Sequence, residues 1–477
     1  MASNGRKIAA AGARTVAGLA GIAIAIVVVG AATLLPLPSF SASPPSKTVN
    51  PVSAQQVRVC PGAALTLADG NDSASTATAL GQATELYGSS HSQVSTRRLV
   101  SGARTDSAAQ APLVVSVTTP QSSQNHPIVG AAQSQTVNSA DTSGFTAAAC
   151  TEPSSDAWLV GGSTALGHTT LVLLANPSAV DASVNLAVYT ETGLVDSPGA
   201  TDIDVPAGTQ KVVPLAGLAP SADATIIHMT STGGDVAAAV EQSYEQGIQP
   251  LGIDLLQPAA APATQLRIPG VVFSTLAAVG AGQATDGGGS SFPVVRILVP
   301  GSEDATLSVG VAPETGTSGG NAYAQRVKAG SVAEIPLKGL SDGTYTITIT
   351  SNVPVVAAAR STVLGSKSTD FSWFAASSPM EDSQFVAVPA GPSPTLHLVN
   401  TGSKTAHAVL QTPGGTRQDV VVSGGAAIAV PLASGTAILS GVDGLYASVS
   451  YLGDGQIASF PLDPPGSLSS PITVYPH

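Results

Sequence analysis

The sequence predicts an all-β protein: tandem antiparallel β-sandwich domains after one N-terminal transmembrane helix. Three observations predict it. A phrase of strands and turns recurs at a spacing of about 100 residues, the size of one sandwich and not of a short solenoid repeat. Segments such as Tyr345-Thr346-Ile347-Thr348-Ile349-Thr350 alternate apolar and polar residues, as a strand with one buried face does. No stretch alternates helices with strands, which argues against a parallel α/β sheet. A β-propeller, with two blades per repeat, is the alternative closure.

The elements follow in chain order. Arg6, Lys7 and Arg14 precede an uncharged run from Val16 to Leu35. A helix of about 20 residues spans the hydrocarbon core of a bilayer, and the positive flank stays in the cytoplasm. Residues 1–15 are therefore read as cytoplasmic, 16–35 as a single-pass membrane anchor, and the bulk as extracytoplasmic. Cleavage as a signal peptide near Ser39 and Ser41 would instead give a secreted protein. Residues 36–55, with Ser43-Pro44-Pro45-Ser46, form an extended linker.

Residues 56–150 read as a divergent β domain, because Gln56-Val57-Arg58-Val59-Cys60-Pro61-Gly62 is copied by Gln265-Leu266-Arg267-Ile268-Pro269-Gly270. No convincing amphipathic helix follows the anchor, and Thr76 to Glu85 is the one candidate for a short one. Two clear repeats, 151–258 and 259–378, are followed by a weaker one, 379–477. The first carries Leu171 to Pro177, then Val212-Val213-Pro214-Leu215-Ala216-Gly217-Leu218. The second carries Val294 to Pro300, then Glu334-Ile335-Pro336-Leu337-Lys338-Gly339-Leu340. The third carries Leu396 to Asn400, then Ala429-Val430-Pro431-Leu432. The prolines belong at strand edges or ends, since proline cannot donate to a ladder. Trp158 and Trp373 sit at repeat junctions, where core anchoring is the economical reading.

Cys60 and Cys150 both fall in the exported portion. A disulfide is the natural inference in an oxidising compartment. It would close a loop of about 90 residues, worth roughly 4 kcal/mol in the chain-entropy model.

Trp158-Leu159-Val160-Gly161-Gly162-Ser163-Thr164, Leu173-Leu174-Ala175-Asn176-Pro177 and Val205-Pro206-Ala207-Gly208 are together similar to a group of exported actinobacterial proteins classed only as domains of unknown function. The Asn-Pro strand end and the Val-Pro-Ala-Gly turn also resemble tandem immunoglobulin-like modules of bacterial surface proteins. The resemblance covers roughly Cys150 to Pro461. It implies an envelope location and a sandwich fold, and it carries over no catalytic or binding residue. The last repeat departs from the pattern: Thr401 follows Asn400, and Val422-Ser423-Gly424-Gly425 replaces the turn.

Composition narrows the function. The net charge is -12, charged residues make up 10% and aromatics 4%. A nucleic-acid binder needs clustered cations, and Arg97-Arg98 is the one adjacent basic pair after the N-terminus. Few aromatics also weigh against a sugar-stacking face. No reactive constellation stands out. Gly316-Thr317-Ser318-Gly319-Gly320 matches Gly-x-Ser-x-Gly but lacks the following helix of a nucleophile elbow. Ser163 with His168 lacks an evident carboxylate partner. The seven histidines are dispersed; His397 and His407, on neighbouring strands, read as solvent-facing. Asp69, Asn71 and Asp72 lack the helix-loop-helix calcium spacing and read as a turn. Asp202 and Asp204 read as a solvated strand face. Gly280-Ala281-Gly282 and Gly287-Gly288-Gly289 read as a flexible loop without the phosphate-loop lysine. The expectation is a non-enzymatic, membrane-anchored envelope protein with a structural, adhesive or scaffold role, needing no cofactor or metal and meeting a cell-wall or envelope protein partner. Two alternatives stand beside it: a recognition module for sugars or cell-wall polymer, and an accessory of an envelope assembly or export complex.

Overall fold

A computed structural model describes residues 47–49, 55–67, 76–90, 92–118, 127–286, 292–315, 320–381, 383–464 and 472–474. The expected anchor at 16–35 lies outside them. Among the described residues no helix is long and apolar enough to cross a membrane. The chain forms two units. In one, Met1–Pro51 with Ser470–His477, the strand Lys47–Val49 pairs antiparallel with Ile472–Val474. The other, Val52–Ser469, holds all the remaining sheets.

Within that larger unit one strand plan occurs four times. In the second copy one sheet runs Asp156–Val160, Thr225–Gly233, Ala182–Thr190, with two short strands at its edge. The other runs Gln210–Pro214, His168–Ala175, Ala237–Gln246, Gln249–Leu256. Both sheets feed one core through Trp158, Leu174, Val184, Ile226 and Val240. The fourth copy, 384–461, repeats this order with two four-stranded sheets. In the third, the 22-residue strand Gly343–Leu364 passes through both layers and merges them into one seven-stranded sheet. The first copy keeps two three-stranded sheets, Gln55–Cys60, Leu113–Thr118, Ser95–Arg98, and Thr84–Ser89, Val129–Asn138, Ser143–Ala149, and adds a two-stranded one, Leu65–Leu67 with Ala77–Ala79. Among the described residues every pair of named strands is antiparallel, and no propeller forms. A propeller blade is a single sheet, whereas here the apolar faces of two layers meet over a common core.

The recurring phrase has a mechanical meaning. Asn176 Nδ2 donates to the carbonyls of Val180 and Val205, while Asn400 Nδ2 donates to those of Lys404 and Val422. The last copy therefore keeps the asparagine clamp although it lost the proline. Its turn also survives: Gly208, Gly330 and Gly425 have φ of 72°, 73° and 72°, a left-handed conformation that glycine adopts without strain. Pro214, Pro336 and Pro431 each end a strand, as expected.

Two local expectations are corrected. Thr76 to Glu85 is not helical but contributes to the strands Ala77–Ala79 and Thr84–Ser89. The helix lies instead at Leu276–Asp286, so Gly280-Ala281-Gly282 is helical and not a loop. Alanine-rich sequence favours helix once the flanking strands fix its ends. Gly287-Gly288-Gly289 lies outside the described residues.

Cys60 and Cys150 are joined. The bridge ties the first strand of the first copy to the end of its last, beside paired backbone bonds between Val59 and Thr151 at 2.8 and 3.1 Å. The main sheets of this copy are short, three strands each, so the link adds a covalent tie between its ends. Replacing both cysteines with alanine should cost about 2–4 kcal/mol, read as a lowered urea midpoint with an unchanged fold by circular dichroism. A midpoint equal to wild type would show that the bridge is dispensable.

Candidate functional site

The last strand of each copy is an edge strand: Ser143–Ala149, Gln249–Leu256, Thr369–Ala375 and Gln456–Pro461. An unpaired edge is a template for aggregation. Here the four edges converge, each packing against the next and the last against the first. The hydrophobic cores follow the same cycle. Leu298, Phe371 and Trp373 of the third copy enter the core of the second, and Ile457 of the fourth enters that of the third. Phe145 and Ala147 of the first copy enter that of the fourth, while Leu171, Leu173 and Leu255 of the second enter that of the first.

Asp370 holds the centre. Its side chain accepts the backbone N–H of Phe145 at 2.8 Å, Ile253 at 3.2 Å and Ile457 at 3.2 Å, one from each of the other three copies. Gly144 and Gly252 precede two of these donors. A Cβ on either would stand 2.5 or 2.8 Å from Asp370 Oδ1, so glycine there leaves room for the carboxylate.

Polar side chains also close each copy boundary. The carbonyl of Pro61 accepts from Gln210 Nε2, that of Gly162 from Arg296, that of Pro269 from Ser448 Oγ, and that of Ala390 from Ser134 Oγ. Each donor belongs to the next copy in the ring. Glu241 accepts the N–H of Leu65 at 2.9 Å, and Asp254 accepts that of Trp373 at 2.7 Å. Arg296 lies 4.3 Å over the Trp373 ring and forks onto Glu334 at 2.7 and 3.0 Å.

The third-to-fourth boundary carries an acid–imidazole–hydroxyl array that sequence reading missed. Glu314 Oε2 lies 2.6 Å from His397 Nδ1, and His397 Nε2 lies 2.8 Å from Ser450 Oγ. Glu314 also accepts from the Gly270 N–H and from Thr346 Oγ1. These are the connections of a hydrolase triad. Access distinguishes it from one: His397 is 1% exposed and Ser450 2%. Ser450 sits mid-strand, paired to Thr395 and Ser459, not on an exposed turn. The array is an internal hydrogen-bond chain that locks two copies together. The expected solvent-facing pair of His397 and His407 is overturned, because their strands lie in different sheets and only His407 is exposed.

The other sequence candidates separate. Ser163 Oγ donates to the Ala222 carbonyl, while His168 Nδ1 meets Gln242 Nε2 at 3.2 Å. Asp202 and Asp204 are exposed. The described residues contain no group of three or more potential metal ligands. Gly316 to Gly319 and Asp69, Asn71 and Asp72 lie outside the described residues. Trp158 and Trp373 are both buried.

A cavity of about 460 Å³ opens where the first, second and fourth copies meet, lined among others by Arg58, Glu152, Asp235, Gln257 and Phe385. Arg58 and Glu152 pair at 2.8 Å.

A model for a family of unknown function (DUF5719) matches residues 100–433, more than half of the 477. The chain belongs to this family. The DUF5719 span contains Glu241, Asp254, Glu314, Asp370 and His397, but neither Cys60 nor the fourth hub strand. No curated protein matches. Among solved structures, one titled "Crystal Structure of Thermotoga maritima 1070" is similar at 18% identity, covering 24% of this chain and 95% of that one, with a TM-score of 0.20. One titled "Biofilm associated protein - BSP domain" is 8% identical, covering 73% and 65%, with a TM-score of 0.13. Superpositions this loose carry no argument.

The buried carboxylates give the hub a pH response. Burial pushes Asp254 up to about 7 and Glu241 up to about 8, and raises Asp370 well above the carboxylate range. The folded state then binds more protons than the unfolded state between roughly pH 4 and pH 8, so stability falls as pH rises through that window. Urea midpoints should therefore be higher at pH 5 than at pH 8, and Glu241→Gln should flatten the profile. A midpoint that rises over the same interval would contradict the assignment.

Proposed function

We propose that this DUF5719 chain is a non-catalytic, extracytoplasmic protein of the cell envelope, held at the membrane by residues 16–35 and acting as a rigid scaffold or adhesive body. One observation supports it most: among the described residues, the buried carboxylates, Arg296 and His397 are spent on hydrogen bonds across copy boundaries. Catalysis needs such groups presented to a substrate, whereas here they fix one copy against another. The exported, immunoglobulin-like module architecture suggested by sequence resemblance fits a body of this kind, as does a low-charge surface. To test it, the full chain and a chain carrying Ser450→Ala are incubated with purified cell wall and with ester and peptide substrates. The expected result is no turnover by either. Turnover abolished by Ser450→Ala overturns the reading.

A second reading, recognition of a cell-wall polymer, is favoured by the cavity between the first, second and fourth copies. Its volume is in the ligand-site range, and Arg58, Glu152, Asp235 and Gln257 beside Phe385 offer donors and acceptors next to an apolar ring. Retention of the chain on purified wall, lost on replacing Asp235 and Gln257 with alanine, would favour it over a scaffold.

A further inference from the structure

Arg360 is 4% exposed, and its Nε and Nη2 have no hydrogen-bond partner. Its guanidinium lies 5.4 Å from the Trp373 ring, which it shares with Arg296. Two buried guanidiniums thus meet one nearby carboxylate, Glu334, and Arg296 takes its hydrogen bonds. Asp254 and Asp370 are committed to backbone N–H groups. A buried cation without a hydrogen-bonded counter-charge is strongly unfavourable, so the position calls for a negative charge.

A small cavity lies at this position. It measures about 10 Å³ and is lined by His168, Gln242, Tyr244, Leu251, Arg360, Thr362 and Phe371, with no acidic side chain among them. That volume suits one particle of about the size of a water molecule, too small for a carboxylate or phosphate group. Gln242 is already occupied, its Oε1 accepting from Trp373 Nε1 at 2.8 Å and its Nε2 facing His168. His168 stacks on Tyr244 at 4.1 Å, and both are partly exposed, so the cavity is reached from the surface past this pair.

We propose that this cavity is a halide site, in which Arg360 Nε and Nη2 donate to a single chloride ion at the boundary of the second and third copies. Anion binding neutralises the second guanidinium and ties the two copies together, without contact to the larger cavity. The site is independent of the functional reading above.

The test uses the whole chain. Crystals grown in bromide should show an anomalous peak within hydrogen-bond distance of Arg360 Nε and Nη2, absent in Arg360→Met. In solution, the urea midpoint should be higher in chloride than in gluconate at equal ionic strength, since a ligand bound only by the folded state stabilises it by mass action. Arg360→Met should abolish that difference. Should Arg360→Met fail to fold, Thr362→Leu, which fills the cavity and keeps the cation, should remove the peak and the chloride response together. A water-like peak without anomalous signal, or midpoints indifferent to chloride in the wild type, overturns the proposal.

Discussion

Asp370→Ala should lower stability by on the order of 5 kcal/mol, among the largest single-residue effects expected in this chain. The substitution leaves the N–H groups of Phe145, Ile253 and Ile457 buried without their acceptor. An orphaned buried donor costs about 1–3 kcal/mol, and three are orphaned at once. Relief of the carboxylate's own burial offsets part of this, which keeps the net effect below the simple sum. Asp370→Asn retains one carbonyl acceptor and should fall between the two. Urea unfolding of wild type and both variants measures the order. Hydrogen exchange adds a signature that a mere cavity would not produce: the amides of Phe145, Ile253 and Ile457 should lose protection together, although Ile253 and Ile457 lie 108 and 312 residues from Phe145 (253 less 145, and 457 less 145). A cost below about 1 kcal/mol would mean that the hub is held by apolar packing alone.

His397→Ala should cost about 3–5 kcal/mol, because truncating one member of a buried pair strands the other. Glu314 would keep its bonds to Gly270 and Thr346 but lose its partner at 2.6 Å, and Ser450 would lose the imidazole. The double variant with Glu314→Gln separates pair energy from cavity energy. Residues within one hydrogen-bond network are expected to couple by about 0.5–3 kcal/mol, so the double variant should be less damaged than the two single costs added. Strict additivity would show that the two groups do not act as a pair. A loss of hydrolytic turnover without loss of stability would point instead to catalysis.

How much of this was legible beforehand depends on the range of the interaction. The strand-turn phrase is local, and its asparagine, proline and glycine positions read correctly as punctuation. Asn400 shows why the reading can also understate: a missing proline looked like erosion, yet the side-chain clamp is intact. Helix 276–286 was missed because a glycine- and alanine-rich stretch has no apolar periodicity to mark a face. The Glu314–His397–Ser450 array was missed because its members are 83 and 53 residues apart, with no spacing rule connecting them. Nothing in the sequence around Asp370 sets it apart from the other strand carboxylates. One signal was present in retrospect: Gly144 and Gly252 occupy strand positions where a side chain would normally be packed.

By itself the sequence determined the class of structure: antiparallel strands of alternating character, turns at fixed offsets, a repeated unit and one disulfide. Each follows from a few neighbouring residues, or from two cysteines in one compartment. Only the tertiary structure decided that the four copies close on one another, that their free edges meet, and which buried charge answers which backbone group. Those outcomes depend on contacts such as Ser134 with Ala390, 256 residues apart. At such distances the chain order places no constraint on partners, and geometry alone selects them.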